Sequence, residues 1–431
     1  MANILDYLAW RGDLPFSAAP FNEVDNLILS ELAFVDFAGV LPEDFSETVT
    51  LREASRLLSE YREADRVELG VLLPKDLDPL LQKAAESERF GGIALAGYES
   101  RIDPASQLQF AAVTMLLGDG TVFISYRGTD DTLVGWKEDF NMSFLSVVPA
   151  QTYAVRYLDR IAALYPQELR LGGHSKGGNL AVYAAACASL DTQKRILCVY
   201  NNDGPGFLRE FLDSAGYARI RDRVRTIVPQ TSIVGMLLEH ECAYTVVKST
   251  NNGIFQHDGF SWEVLGTGFI VLDDRTSESK LVDRTLKAWV ASIVPQERER
   301  FVEALYQILS STSAETLSDI HADKDALWRI LKSITPEQRG ILQKTLRGLI
   351  YEGQRVIRAD RDEKRMMKKA SKEEKKVQNR LIAEGEKRRK AEELAARRAE
   401  KAKRQALMVA VRPIRFRIVK VEAATKKKSC K

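Results

Sequence analysis

The stretch Arg170–Leu190, RLGGHSKGGNLAVYAAACASL, constrains the fold more than any other part of the chain. A short apolar strand runs into paired glycines, then a serine, then two more glycines, then a helix of small residues. A serine on so sharp a strand-to-helix turn projects its Oγ clear of the sheet. The turn forces the residues two before and two after into near contact, and Gly173 and Gly177 remove the side chains that would collide there. Gly178 lets the helix approach closely. The N–H of Lys176, first in that helix, points to where an oxyanion would form, with the helix dipole behind it. Ser175 is the candidate nucleophile.

The surroundings fit such a turn. Strand-like QFAAVTMLL and TVFISYRGT, joined by Gly118-Asp119-Gly120, are followed by helical TYAVRYLDRIAALY. Beyond the serine, RILCVYNND, RTIVPQ and CAYTVVKST read as strands, with helical PGFLREFLDSAG between the first two. This alternation across 105–270 predicts an α/β fold with a mostly parallel sheet covered on both faces. Residues 1–90 read as helical, with Val24, Leu27, Ile28, Leu32 and Val35 on one face. The expected divisions are a helical segment 1–90, a core 91–275, a helical region 276–355 and a charged tail 356–431. Trp289, Phe301, Leu305, Trp328, Leu331 and Leu346 are the expected core of the third.

A serine needs a base, most often histidine. The chain has four histidines. His174 adjoins the serine on a turn that points it elsewhere, which suits packing. His321 lies in polar SDIHADKDA, and His240 precedes a strand, at the wrong end for a site built from strand C-termini. His257, in the loop FQHDGF after that strand, remains as the base. The acid belongs between serine and histidine in chain order. Asp203, at the end of RILCVYNND, is the first choice, with Glu239 and Asp258 next. No metal or cofactor is called for.

Two blocks, ISYRGTDDTLVGWKEDF and GGHSKGGNLA, resemble the class 3 lipases. The combination of DYLAWRGDLPFSAAPFNEVDNLILSELAFVDF, YNNDGPGF, VPQTSIVGMLLEH and QHDGFSWEV is similar to a bacterial lipase-like α/β-hydrolase family of unknown function. The resemblance spans roughly residues 3–350. It implies a three-layer α/β-hydrolase sheet with helical additions, Ser175 as nucleophile, His257 as base, and Thr129 of YRGT as the second oxyanion contributor. The resemblance does not fix the reaction; the expected activity is that of a serine esterase acting on acyl esters of lipid or a small molecule. Two positions depart from the lipase pattern. Ser232 stands where class 3 lipases carry their acid, and Lys176 replaces the usual leucine. Lys176 either binds an anionic substrate group or lowers the pKa of Ser175, or else pairs with Glu138 or Asp139 and is structural. A non-catalytic scaffold is the alternative reading.

Charge divides the chain. From Arg358 onward there are 27 Lys/Arg against 11 Asp/Glu, a net of +16; the whole chain carries +3, so the body carries −13. KEEKKVQNRLIAEGEKRRKAEELAARRAEKAKRQ cannot bury a face and is expected as an exposed helix or disordered. Ile414, Phe416 and Ile418 of IRFRIVKV share one side of a short alternating pattern. Anionic lipid headgroups are the favoured partner for the cationic tail, at about 1 kcal/mol per cation; nucleic-acid binding is not expected without a recognised motif. Four cysteines without paired spacing and no secretion signal suggest a reducing cytoplasm, with the tail peripheral to the inner membrane face.

Overall fold

The computed structural model describes residues 1–64, 75–130, 132–241, 243–310, 316, 332 and 334–410. Asp131, Cys242, His321, Trp328, Leu331, the alternating segment 414–421 and Cys430 lie outside the described residues. The chain divides into two compact units, Met1–Ile357 and Arg358–Lys431.

The strands of the first unit are β1 (Val49–Thr50), β2 (Ala94–Asp103), β3 (Leu108–Leu116), β4 (Val122–Tyr126), β5 (Leu169–His174), β6 (Ile196–Asn202), β7 (Val224–Pro229), β8 (Tyr244–Val247), β9 (Val264–Leu265), β10 (Gly268–Phe269) and β11 (Val271–Leu272). Nine of them form one sheet in the order β1-β2-β3-β4-β5-β6-β7-β8-β11, and β9 pairs separately with β10. The central strands β4 to β8 are parallel, and the margins are antiparallel. Strand β2 falls where the sequence pattern points to none. Its outer half, YESRID, is polar and solvent-facing, and a bulge between Ala96 and Glu99 breaks its alternation.

Helices cover both faces, giving the expected three-layer α/β arrangement. One face carries α1 (Ile4–Arg11), α2 (Glu23–Leu32), α3 (Leu51–Ala64) and α4 (Leu77–Glu86) over Phe123, Tyr200, Ile227 and Val247. After α5 (Leu133–Asn141), the other face carries α6 (Pro149–Leu164), α7 (Lys176–Cys187) and, beyond α8 (Leu190–Arg195) and α9 (Arg209–Leu212), α10 (Ala215–Ile220). Alanines of α7 are fully buried, as close helix-on-sheet packing requires.

Helix α2 is the element of this layer most closely tied to the sheet. Asn22 caps it, accepting from the N–H groups of Val24 and Asp25, while Asp25 accepts from the Asn22 N–H. Val24, Leu27, Ile28, Leu32 and Val35 are all buried as their spacing predicts. Polar groups on the same helix lock it in place. Asn26 Nδ2 donates to Asn202 Oδ1 (2.9 Å), Asn202 Nδ2 donates to Ser30 Oγ (3.1 Å), and Ser125 Oγ donates to the Leu29 carbonyl (2.9 Å).

Helices α11 (Ser277–Ser292) and α12 (Pro295–Leu309) come after the sheet. There Trp289 meets Phe301 edge-on at 6.2 Å. Val302, Ala304 and Ile308 are buried, whereas Leu346 is 49% exposed and is not core. The last helix, α13 (Pro336–Ala410), supplies the second unit, where residues 361–408 are solvent-exposed and local pairs such as Lys364–Asp360 and Arg404–Glu400 form along it. No helix among the described residues is long and apolar enough to cross a membrane.

The N-terminal layer is fastened by one buried ion pair. Arg89 makes two contacts to Asp25, at 2.7 and 2.5 Å, and donates to the carbonyls of Leu14, Ala19 and Pro20; both side chains are fully buried. Removing one member strands the other charge without water. Arg89→Met should therefore cost about 3–5 kcal/mol of unfolding free energy, read from the urea midpoint.

Candidate active site

Three strand ends converge at one edge of the sheet. In the parallel ladder His174 pairs with Asn202, and Asn202 with Ile227. The ladder continues one residue further at each end: the Ser175 N–H donates to the Asn202 carbonyl (2.9 Å) and the Asp203 N–H to the Ile227 carbonyl (2.8 Å). Ser175 and Asp203 are thus brought side by side by backbone pairing.

Both residues sit in the positive-φ region that favours glycine, Ser175 at +57° and Asp203 at +51°. Each such conformation costs on the order of 1–3 kcal/mol and persists only where its surroundings fix it. At Ser175 the surroundings are the glycines. A Cβ on Gly173 would stand 2.3 Å from the Gly177 carbonyl carbon, and one on Gly177 would stand 2.0 Å from the Tyr126 oxygen. The turn expected from the spacing is present, and Ser175 stands immediately before α7.

His257 lies in a 3-10 turn, Gly253–His257, after β8. The turn is pinned through Gln256, which accepts from the Thr231 N–H (2.7 Å), donates to the Asn251 carbonyl (2.8 Å), and receives the Trp262 indole N–H on its carbonyl (2.9 Å). The imidazole Nδ1 of His257 donates to Asp203 Oδ2 at 2.7 Å. Asp203 is fully buried, and the His257 side chain keeps 25% of its surface exposed. The ring of His257 lies 4.6 Å from that of His174, the residue before Ser175.

Ser232 explains the departure from the lipase pattern. Its Oγ donates to the second carboxylate oxygen, Asp203 Oδ1, at 2.5 Å. A carboxylate presented at the end of β6 is thus supported by a hydroxyl from the end of β7. Glu239 is exposed, and Asp258 uses its carboxylate to cap the Phe260 N–H (3.0 Å). Of these three carboxyls, Asp203 is the one hydrogen-bonded to His257.

Of its expected roles, Lys176 takes the ion pair with Glu138. Its side chain is 1% exposed, and its Nζ donates to Glu138 Oε2 (3.0 Å), the Gln109 carbonyl (3.0 Å) and Gln109 Oε1. Glu138 in turn accepts from the backbone N–H groups of Gln109 (3.1 Å) and Ala150 (2.8 Å). The ammonium is structural and does not reach outward to a substrate anion. Its backbone N–H, in the first turn of α7, has no intrahelical acceptor.

Thr129 lies after β4 in a loop pressed on the elbow; a Cβ on Gly128 would stand 3.1 Å from the Ser175 Cβ. The Thr129 hydroxyl donates to Asp139 Oδ2 (2.5 Å). Burial raises the Asp139 carboxyl to about 6, against the opposing pull of the Lys176 ammonium and the Thr129 hydroxyl.

Among the other histidines, His240 is half-buried beside Gly206. His174 is buried and does more than pack, because its Nε2–H donates to the His257 carbonyl at 2.7 Å. Behind it stands Glu31 of α2, with Oε1 3.6 Å from His174 Nδ1. Sequence reasoning does not single out Glu31. The available signal is its place on the buried stripe of α2, four residues after Leu27.

This geometry makes two measurable demands on stability. A Cβ at Gly235 would stand 2.2 Å from Asp203 Oδ1 and 2.9 Å from Ser232 Oγ. Gly235→Ala should therefore cost about 1–3 kcal/mol by overpacking, measured by thermal denaturation. Asp139 has a raised folded-state pKa, so its contribution is full below the unfolded value and is lost as pH rises. Relative to Asp139→Asn, the wild type should lose stability from about pH 4 up to about pH 6 and no further, measured by urea unfolding across pH.

Solved structures similar to this chain include a triacylglycerol lipase whose catalytic centre is a serine protease triad, at 16% identity over 53% of this chain and 78% of that one, with a TM-score of 0.31. M37 lipase is similar at 15% identity over 49% and 68%, TM-score 0.31. The triacylglyceride lipase of Rhizomucor miehei is similar at 13% identity over 52% and 98%, TM-score 0.30. No curated protein matches the chain. The family model described as Mbeg1-like matches residues 84–307, a little over half of the sequence, and the chain belongs to the Mbeg1-like family.

Proposed function

We propose that the protein is a serine hydrolase that cleaves acyl esters through an acyl-enzyme on Ser175. The observation that carries this reading is the 2.7 Å hydrogen bond between His257 Nδ1 and Asp203, at the sheet edge where Ser175 is held on its turn. In this reading Asp203 fixes the His257 tautomer that leaves Nε2 as the base. Nε2 takes the Ser175 proton as Oγ attacks the acyl carbonyl, and the backbone N–H groups of Lys176 and Thr129 hold the oxyanion. The proton returns to the leaving alcohol, and water, activated by the same imidazole, releases the acid and restores Ser175.

An apolar acyl group suits the rim of the site. Ile254 and Phe255, three and two residues before His257, are 55% and 74% exposed. The substrate class is an acyl ester of lipid or a small molecule, and the cationic tail would bring the enzyme to anionic lipid at the cytoplasmic membrane face.

Fluorophosphonate labelling and hydrolysis of a p-nitrophenyl ester chain-length series test the proposal. Wild type should be labelled and Ser175→Ala should not; Asp203→Asn should lower kcat by about 10⁴ through the wrong tautomer. Well-folded wild type that takes no label would favour the scaffold reading instead. For the tail, the full chain should sediment with vesicles containing phosphatidylserine and remain in solution with phosphatidylcholine alone. Equal recovery on both would remove the membrane role.

A further inference from the structure

The carboxyl of Glu31 is fully buried, and neither of its oxygens has a hydrogen-bond partner within 3.5 Å among the described residues. A Cβ on Gly259 would stand 2.5 Å from Oε1, so the loop carrying His257 is closed directly over the carboxyl. An ionised carboxylate there would be left without donors, and Asp258 adds like charge nearby. Burial accordingly holds Glu31 well above the usual carboxylate range and His174 well below the usual imidazole range, the latter also opposed by His257.

The tautomer of His174 is set by its contacts. A carbonyl only accepts, so the 2.7 Å contact to the His257 oxygen places the proton on Nε2. In a neutral ring Nδ1 is then an acceptor, and Glu31 Oε1, 3.6 Å away, would donate to it only when the carboxyl is protonated. The titratable groups around this ring are Glu31 from α2 and His257 with Asp258 from the loop; Phe34 and Trp262, with ring centroids at 6.2 and 6.4 Å, complete the wall.

We infer that Glu31 and His174 are positioning residues for the base: the Glu31 O–H is directed at His174 Nδ1, His174 Nε2–H holds the His257 carbonyl, and His257 is thereby fixed against Asp203 with no positive charge placed beside it by His174. The absence of charge matters because the two rings are 4.6 Å apart. A cationic His174 would repel the imidazolium that forms on His257 during the reaction. A buried carboxylic acid and a neutral imidazole hold the loop without that repulsion.

The inference rests on the hydrolase reading for its catalytic consequence, and the test separates the two. Ester kinetics on the full chain compare wild type, Glu31→Leu and Glu31→Gln. Glu31→Leu should lower kcat by about 10–100-fold through a misplaced base, with KM little changed and no loss of melting temperature. Glu31→Gln, a neutral donor of the same length, should recover most of that loss. Wild-type kcat in Glu31→Leu, or equal losses in the two variants, would overturn the inference.

Imidazole NMR gives the second readout, independent of turnover. With signals assigned through His174→Gln and His257→Gln, His174 should remain a neutral Nε2–H tautomer between about pH 5 and 8. A His174 signal that titrates in that range, or that carries its proton on Nδ1, would overturn the pair. If wild type hydrolyses no ester while His174 behaves as expected, the hydrolase reading fails and the contact stands.

Discussion

The candidate site depends on a parallel hydrogen-bond ladder that does not stop where the strands stop. β5 and β6 each extend their pairing by one residue, through the N–H groups of Ser175 and Asp203. Those two bonds hold two non-glycine residues at positive φ, at the same edge and in adjacent strands. Backbone pairing is well suited to this task. Its geometry is fixed by the sheet, whereas a side chain on a free loop must lose its own rotamer freedom to reach the same place.

Upon that frame the side chains form a layered support. Asp203 receives His257 on one oxygen and Ser232 on the other, and burial removes competing water. Gln256 anchors the loop bearing His257, while Lys176, Glu138 and Gln109 tie the start of α7 to β3 and α5. The lysine beside Ser175 would be an expensive buried charge if alone. Its partners turn it into a rivet between three elements.

The parts of the fold legible in the sequence are those governed by local rules. Gly173 and Gly177 reveal the turn because their absence of Cβ is a local steric requirement, and the apolar stripe of α2 reveals a buried helix because it repeats at the helical period. Asp203 is reachable from strand-end reasoning and His257 by elimination. The rest depends on contacts between distant segments. Ser232 as support for Asp203, Glu138 as partner of Lys176, and Glu31 behind His174 are pairings between segments far apart in the chain, to which no periodicity points. Strand β2 escapes detection for the opposite reason: its local pattern is interrupted by Gly97 at φ +59°, and its outer half is polar.

Helix α2 has a consequence for anyone seeking a smaller version of this protein. The region shared with the family begins at residue 84, yet Asn26, Ser30 and Glu31 form the rear surface on which Asn202 and His174 rest. A fragment cut to the shared region would expose the amide of Asn202 and an apolar sheet face to solvent, immediately behind Ser175. The smallest autonomous piece therefore has to begin near the amino terminus, and homology boundaries are a poor guide to where this molecule can be trimmed.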